Sequence, residues 1–428
     1  MSPDERHAPR PPFGVGIRRV PELDPAPLPE SEPHLAARIA AEIRTSGPMT
    51  FARFMDLALY DPEAGYYSGA SSEGLLGPGR GGDFLTAPES HPIFGWALAR
   101  HLESVWDALG RPGRFVIREH GAGSGALAAG ILDGLRRSGS PLLGAVRYQA
   151  FDVAPARLGA LTARLAGAGL EQHLDLADDR GAPGVILANE LLDALPVHRV
   201  EGGPDGDLLE RFVTLADRDE PPAGLGRSGD GVSPAAPSSA GPVFATQLGP
   251  PSTSALAARL AAEDVRLEAG EAAEICLAID RWIARAAAPL ERGTVLLIDY
   301  GYPASELYRP GRGSTLRAYH RHRVHAGLLV AIGRQDLTAH VDLTAVERAA
   351  VAAGLEPIGS ARQAEFLAAL GIGELLVALQ SEPATTFESY LEARSALVRM
   401  LDPRATGAFS VLAFGRHLPP GTKLAGFG

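Results

Sequence analysis

Residues 114–127 constrain the fold of this chain more than any other stretch. They begin as a short apolar strand at 115–118, continue through three alternate glycines, and lead into a helical pattern over 126–137. Strand, glycine loop and helix in this order are typical of a nucleotide-binding unit, because glycine lets the backbone turn tightly and lets a ligand come close. The first amides of the helix favour a carboxylate or a phosphate. The stretch therefore predicts a ligand cradle.

Apolar runs alternate with helical patterns along the rest of the chain. Residues 185–188 and 294–298 are continuous apolar runs, which is typical of strands buried on both faces of a sheet. Residues 147–152 indicate another strand, residues 173–176 indicate a weak one, and residues 409–414 suit a last, antiparallel strand. This order predicts an α/β fold with an open, doubly wound, mostly parallel sheet of seven strands.

The regions of the chain differ in composition. Proline and mixed charge dominate the N-terminus, and Gly, Pro, Ser and Ala dominate a later segment. We expect helices over 256–267 and 272–290. The predicted regions are a disordered tail at 1–33, an N-terminal helical or lid region at 34–110, a core at 111–196 and 291–416, and an inserted β hairpin and helical subdomain at 197–290 with a flexible loop at 220–242.

Charge and cysteine content exclude some classes of function. A net charge of −11 argues against wrapping a polyanion, so we expect no nucleic-acid partner. The single cysteine, Cys276, excludes an internal disulfide and suits a reducing compartment, and it is predicted to be inert core within the helix at 272–290. No apolar run is long enough to span a membrane, and residues 1–33 lack the apolar segment of a secretory signal. These features favour a cytoplasmic location without membrane insertion.

Polar residues follow the predicted strands where ligands bind in open parallel sheets. Asp152 ends the strand after the glycine loop, a position that commonly binds the two ribose hydroxyls of an adenosine. Asn189 and Glu190 follow the strand at 185–188, and Asp193 lies one turn further on, so on a helix Glu190 and Asp193 would share a face. No histidine–carboxylate helix motif or cysteine pair is present, so no metal site is expected.

A second glycine-rich loop offers further ligand contacts. Gly82, Asp83 and Thr86 lie in it, and the short side chains of Asp83 and Thr86 can bind a ligand or cap the next helix. Asp175 or Asp178 can face an adenine, and the sequence does not choose between them.

The glycine loop alone fits two cofactors. Residues 121–126 match the dinucleotide pattern G-x-G-x-x-A, which makes an NAD-dependent oxidoreductase one candidate. Glu119, however, stands directly before the loop, where it would repel a pyrophosphate. S-Adenosylmethionine has no phosphate and carries cationic ammonium and sulfonium groups, which a carboxylate favours. The third glycine, Gly125, also fits the E-x-G-x-G-x-G loop of class I methyltransferases better.

Seven stretches in the same order resemble the MidA-like family of S-adenosylmethionine-dependent methyltransferases. One of them is Asn189-Glu-Leu-Leu-Asp-Ala-Leu-Pro-Val197. The likeness extends from about Gly47 to Phe414 and is broken by the loop at 220–242. His120 departs from it, since the family usually has an aliphatic residue there. The other stretches are 47–55 with 59–67, 82–89 with 94–95, 119–125, 297–301, 315–319 and 336–342.

This resemblance implies a class I methyltransferase fold of Rossmann-like type, with S-adenosyl-L-methionine as the cofactor. The mitochondrial members of the family are protein arginine methyltransferases that act in assembly of respiratory complex I, so a protein substrate is expected. The residues expected to bind the cofactor are Gly82, Asp83, Thr86, Glu119, Gly121, Ala122, Gly123, Gly125, Asp152 and Asn189.

The expected reaction is methyl transfer to a protein nitrogen, with arginine as the acceptor. Carboxylates bind a guanidinium through paired N–H bonds, so Glu190 and Asp193 are the expected catalytic residues. The alternatives are that Asn189 and Glu190 only hold the cofactor while Asp193 caps structure, that the chain is a cofactor-binding assembly factor with little catalysis, or that the acceptor is a small molecule.

Overall fold

A computed structural model describes residues 28–68, 86–175, 181–216, 241–321 and 323–427. Residues 1–27 of the predicted tail and 220–240 of the predicted loop lie outside these ranges. The described α-helices are α1 Pro33–Ser46, α2 Phe51–Tyr60, α3 Ala87–Ser90, α4 Ile93–Ala108, α5 Ala126–Ser138, α6 Leu142–Ala145, α7 Pro155–Gly167, α8 Ser254–Ala262, α9 Ala278–Ala287, α10 Ala304–Leu307, α11 Leu343–Ala352, α12 Gln363–Ala369, α13 Ile372–Gln380 and α14 Phe387–Leu401. The described strands are β1 Met49–Thr50, β2 Phe115–His120, β3 Val146–Phe151, β4 Gly184–Asn189, β5 His198–Gly202, β6 Leu208–Leu215, β7 Phe244–Gly249, β8 Ala272–Ile275, β9 Gly293–Asp299, β10 Gly301–Tyr302, β11 Arg317–His320, β12 Arg323–His325, β13 Asp336–Thr338, β14 Val341–Asp342, β15 Glu356–Arg362 and β16 Ser410–Arg416.

The central sheet has the strand order β15-β16-β9-β4-β2-β3. Strands β3, β2, β4 and β9 are parallel, whereas β16 runs antiparallel to both β9 and β15. The predicted antiparallel strand near 409–414 is confirmed as β16. The carboxyl ends of β2, β3 and β4 therefore meet at one edge of the sheet, which is where an open parallel sheet binds ligands.

The prediction of a seventh strand near 173–176 is not confirmed by the described residues. A 3₁₀ turn, Glu171–His173, leads instead to a single bridge between Leu174 and Tyr148. The Asp175 amide then donates to the Tyr148 carbonyl at 2.8 Å. Because pairing extends no further within the described ranges, the described sheet has six strands.

Helices cover both faces of the sheet, as the alternating pattern predicts. On one face α4 crosses α5, the helix that follows the glycine loop, at a pair of glycines. A Cβ atom on Gly95 would lie 2.5 Å from the Gly130 carbonyl carbon, so only glycine permits this close approach. The crossing fixes α5, and with it the loop, against the buried face that includes Phe115 and Ile117.

A smaller antiparallel sheet contains β5, β6, β7 and β8, which are inserted between β4 and β9 in the chain, and the N-terminal β1, which pairs with β6. The prediction of one helix over 272–290 is wrong in its first part. Ala272–Ile275 forms β8, because it pairs with β5, and the helix α9 begins only at Ala278. Cys276 lies between them, partly buried, and burial raises the pKa of its thiol to about 11.

The N-terminal helices pack on this smaller sheet. Thr50 caps α2, since its side chain accepts the Arg53 amide at 3.1 Å. Phe54 and Val213 share one apolar cluster that joins α2 to the inserted sheet. The Tyr60 hydroxyl donates to the Ala194 carbonyl at 2.9 Å, which holds α2 against the segment after β4.

Candidate active site

A cavity of about 1060 Å³ opens at the carboxyl ends of β2, β3 and β4. Its walls come from the glycine loop, the segment after β4, the helices α2 and α9, and the end of α3. Sequence-predicted residues that line it are Thr86, Glu119, Gly121, Ala122, Gly123, Asp152, Asn189 and Glu190. The described lining does not include Gly125 or Asp193, and Gly82 and Asp83 lie outside the described residues.

The glycine loop needs glycine for two different reasons. Gly121, Gly123 and Gly125 have φ values of 73°, 54° and 78°, in the left-handed region that favours glycine. A Cβ atom on Gly125 would lie 2.6 Å from Cγ of Leu161, so α7 packs directly against this residue. A Cβ atom on Gly123 would meet nothing within 4 Å, which leaves open space beside the backbone. The loop is therefore tightly packed on one side and accessible to a ligand on the other.

Asp152 holds the glycine loop in place. One oxygen of its carboxylate accepts the Gly123 amide at 2.9 Å, and the other accepts the Ala154 amide at 3.0 Å. Asp152 is not the cap of α7, because Ala154 holds that position. A carboxylate has about four acceptor positions, so two remain for the hydroxyls of a ligand.

Glu119 is a buried carboxyl group beneath the cavity. Only 3 % of the residue is exposed, and the Tyr148 hydroxyl donates to its carboxylate at 2.7 Å. Burial raises the pKa of Glu119 to about 8, against the lowering effect of Tyr148 and with smaller raising effects from the charges of Asp152 and Glu89. A positive charge bound in the cavity would favour the ionised form of this group.

Glu89 joins this acidic group, although no sequence pattern described above singles it out. Its carboxylate accepts the Ser124 hydroxyl of the glycine loop, and Arg164 lies 3.6 Å away. The carboxylate thus connects α3 to the loop and to α7. Only its place within the family-like stretch 82–89 could have indicated it.

Glu190 occupies an unusual backbone conformation at the end of β4. Its φ of 51° lies in the left-handed region, which non-glycine residues rarely adopt, and its amide donates to the Ile298 carbonyl at 2.8 Å. Burial raises the pKa of Glu190 to about 8, and the charge of Asp193 adds to that, while bonds from Asn189 and from the Ala87 amide lower it. A strained, desolvated carboxyl group facing a cavity is a typical functional arrangement.

Asn189 supplies an acceptor that points to a ligand. Its amide nitrogen donates to Glu190 at 3.2 Å. Its Oδ1 atom is buried and has no hydrogen-bond partner among the described residues. A buried acceptor without a partner is costly, so this atom is suited to accept a hydrogen bond from a bound donor such as an ammonium group.

Asp193 does not share a helix face with Glu190, because the backbone turns left-handed at Glu190 and a short 3₁₀ turn follows at Leu192–Ala194. Asp193 is buried, its carboxylate accepts the Tyr300 hydroxyl at 2.6 Å, and burial raises its pKa to about 6. It therefore lies behind Glu190 and acts on it through its charge.

Asp299, which the sequence analysis does not select, holds the whole turn. One oxygen of its carboxylate accepts the amides of Leu191 at 3.1 Å, Leu192 at 2.8 Å and Asp193 at 3.3 Å, and the other accepts the Tyr300 amide at 2.8 Å. Burial raises the pKa of Asp299 well above its usual range. The sequence did contain a signal for Asp299, since this residue directly follows the apolar run at 294–298, just as Asn189 ends β4.

Aromatic side chains form one wall of the cavity. The rings of His120 and Phe151 stack with centroids 5.0 Å apart, and Trp282 of α9 meets His120 edge-on at 5.6 Å. Phe151 and Val153 are 44 % and 56 % exposed, so apolar surface is available here. A flat, apolar base such as adenine matches this surface. Sequence patterns predicted the helix that carries Trp282 but not that this helix lies beside the cavity.

The other sequence candidates have different places. Thr86 is buried at the N-terminal end of α3, but its side chain makes no capping bond. Asp175 pairs with Arg114 at 2.6 Å, and Asp178 lies outside the described residues. Tyr67 lines the cavity, stacks on Tyr60 and donates to Asp336 at 2.8 Å.

Two features are absent from the described part of the chain. In it, no group of three or more His, Cys, Asp or Glu side chains is arranged to hold a metal ion. No single described helix is long and apolar enough to cross a membrane. The bent pair α12 and α13 reaches that length and apolar composition only when the two helices are taken together.

Comparison with known proteins identifies the family. Residues 97–361 match the model of a family of S-adenosyl-L-methionine-dependent methyltransferases. A Burkholderia thailandensis protein whose crystal structure contains bound S-adenosyl-homocysteine is 32 % identical to this chain. The similarity covers 92 % of this chain and 94 % of that protein, with a TM-score of 0.75.

Two curated relatives are similar over most of the chain. The protein arginine methyltransferase NDUFAF7 homolog, mitochondrial, of Drosophila melanogaster is 28 % identical over 82 % of this chain and 80 % of its own length. The human protein arginine methyltransferase NDUFAF7, mitochondrial, is 27 % identical over 80 % of this chain and 75 % of its own length. Their mitochondrial names contradict the cytoplasmic location expected from the sequence, and that expectation is therefore wrong.

The family match decides between the two cofactors that fit the glycine loop. The cofactor is S-adenosyl-L-methionine, and the buried acidic groups and the unpartnered Asn189 oxygen fit its cationic methionine end. The chain belongs to the MidA-like family of S-adenosyl-L-methionine-dependent methyltransferases.

Proposed function

We propose that this methyltransferase acts on a guanidino nitrogen of a protein arginine, and that Glu190 binds and orients the guanidinium. The observation that carries the proposal is the Glu190 carboxyl group itself, which is desolvated, held in a left-handed turn and open to the cofactor cavity. The relatives named protein arginine methyltransferases support the acceptor class.

The proposed cofactor contacts use the groups at the three strand ends. Glu119 and the Asn189 oxygen face the cationic methionine end, Asp152 accepts the ribose hydroxyls, and the open side of Gly123 admits the ligand beside the backbone. The aromatic wall receives the adenine. When bound, S-adenosyl-L-methionine supplies an electrophilic methyl group. Gly82 and Asp83 stay predictions of the sequence alone.

Glu190 gains its charge when a cation binds. With a pKa of about 8 it is largely neutral at pH 7 in the empty cavity. A guanidinium beside it lowers that pKa and donates paired hydrogen bonds to the carboxylate. Such a clamp fixes the attacking nitrogen relative to the methyl group, and positioning of this kind can supply much of the rate. Asp193 assists as a positioning residue, through its bond from Tyr300 and its charge.

The test separates cofactor binding from transfer. Glu190→Gln keeps the shape of the side chain, so S-adenosylhomocysteine affinity by calorimetry should stay within about threefold. Transfer of labelled methyl to protein should fall about 100-fold or more, because the charged clamp is lost. Asp152→Ala should behave in the opposite way, since its main effect should be a loss of affinity for S-adenosylhomocysteine.

Chemical analysis of the labelled product tests the acceptor. Hydrolysis of the labelled protein should release methylarginine. Label in lysine, or only in small molecules, would refute the arginine proposal. Full turnover by Glu190→Gln would refute the clamp.

A further inference from the structure

A histidine–glutamate pair lies in the wall of the same cavity and has no part in the clamp. His198 begins β5 and lines the cavity, with 15 % of its side chain exposed. Its Nδ1 atom lies 2.7 Å from Oε1 of Glu210 on β6. The Glu210 side chain is fully buried, so the pair is a built feature of the inserted sheet.

Glu210 determines which ring nitrogen of His198 faces a ligand. Burial raises the pKa of Glu210, but hydrogen bonds from His198 and Ser252 outweigh burial and leave that pKa lowered. The second carboxylate oxygen accepts the Ser252 amide at 2.6 Å. Because an ionised carboxylate only accepts hydrogen bonds, Nδ1 carries the proton and Nε2 presents a lone pair.

We propose that His198 is the general base of the methyl transfer and that Glu210 fixes its tautomer and stabilises its protonated form. The acceptor nitrogen forms a bond to the methyl carbon, and the carbon–sulfur bond breaks with its electron pair going to sulfur. The proton lost by that nitrogen goes to Nε2 of His198 and then to solvent. Methylated guanidinium, S-adenosylhomocysteine and one proton are the products, so charge and atoms balance.

The proton needs such a destination because a protonated guanidinium is a poor nucleophile. A nitrogen acceptor of another class would also lose a proton. The general-base role of His198 therefore rests on the proposed function only for the identity of the acceptor. Charged groups from several neighbouring elements line the same cavity: Arg53 and Asp56 on α2, Glu89 on α3, Glu119 on β2, Asp152 after β3, Arg157 on α7, Glu190 after β4, and Arg281 and Arg285 on α9.

The decisive experiment compares His198→Gln with the wild type and with the exposed control His417→Gln. The readout is kcat for transfer of labelled methyl to protein, together with calorimetric affinity for S-adenosylhomocysteine. We expect a loss of about 100-fold or more in kcat for His198→Gln, typical of a lost general base, and unchanged affinity. Glu210→Gln should lose less, since the neutral amide still orients the ring.

Chemical rescue distinguishes a base from a structural contact. In His198→Gly, added imidazole should restore part of the transfer rate, and a series of substituted imidazoles should restore more as their basicity rises. Wild-type kcat in His198→Gln, or rescue that does not depend on basicity, would overturn the assignment. The proposed acceptor is tested separately, because its failure appears as label outside arginine whatever His198→Gln does to the rate.

Discussion

The carboxyl ends of β2 and β4 both present a carboxyl group to the cavity, but they are built differently. Glu119 is held by the Tyr148 hydroxyl and is followed by a loop whose glycines adopt the left-handed region freely. Glu190 is forced into that region itself, and the Asp299 carboxylate from β9 holds the turn after it. The first end is specified by local sequence and the second by tertiary contacts. We therefore expect the two ends to fail in different ways when altered.

The largest expected effect is at the glycine loop. Gly125→Ala places a Cβ atom 2.6 Å from Cγ of Leu161 at a φ of 78°. The loop or α7 must move, so S-adenosylhomocysteine affinity should fall about 100-fold, or roughly 3 kcal/mol. Calorimetric titration measures this directly.

The matched control for this change is Gly139→Ala. Gly139 also has a positive φ, 65°, but a Cβ atom there would meet nothing within 4 Å. This variant should lose about 1 kcal/mol of stability and keep wild-type cofactor affinity. Equal cofactor affinity in both variants would contradict the role given to the contact between the loop and α7.

A smaller effect is expected at the end of β4. Asp299→Ala leaves four backbone amides without their acceptor, which should lower the free energy of unfolding by about 2 to 4 kcal/mol. Transfer should fall about 10- to 100-fold, because Glu190 loses its fixed orientation. Cofactor affinity should change only a few-fold, since the hydrogen bonds from the Gly123 and Ala154 amides to Asp152 do not involve Asp299.

Asp299→Asn is the conservative comparison. It keeps one carbonyl oxygen at the same place, so it should recover part of the transfer rate. If Asp299→Ala instead lost cofactor binding as fully as Gly125→Ala, the two strand ends would not be independent.

This difference also explains what the sequence could predict. Strand, glycine loop and α5 follow from local pattern, and the structure has all three. The tertiary features were missed: the place of Asp299 at a strand end could be seen in the sequence, but not that its carboxylate binds a turn more than 100 residues earlier in the chain. Strand β15 was missed because Pro357 and Gly359 interrupt its pattern. An edge strand with little buried surface gives no strong periodic signal.

The same reasoning applies to the segment at 272–290. Its apolar residues fit a helix, but pairing with β5 makes Ala272–Ile275 a strand, so a tertiary contact overrides local propensity. Trp282 and His198 enter the cavity only because the inserted sheet and α9 are placed beside β4. Composition and spacing do not encode that placement.

The smallest expected effect is a pH dependence that separates Glu190 from an ordinary surface glutamate. Its pKa rises from 4.5 in the unfolded chain to about 8 in the folded one, because of burial and then the charge of Asp193. A raised folded-state pKa contributes stability below about pH 4.5, and that contribution is lost as the pH rises toward 8. Glu190→Gln removes this loss, so its free energy of unfolding should exceed that of the wild type by on the order of 1 to 2 kcal/mol at pH 8 and by little at pH 5.

Urea unfolding at both pH values measures the difference, and Glu347→Gln on the exposed side of α11 is the control, which should show no such trend. A pH-independent difference for Glu190→Gln would mean that its carboxyl group is already ionised in the empty cavity, and the charge-gain step proposed for guanidinium binding would then be wrong.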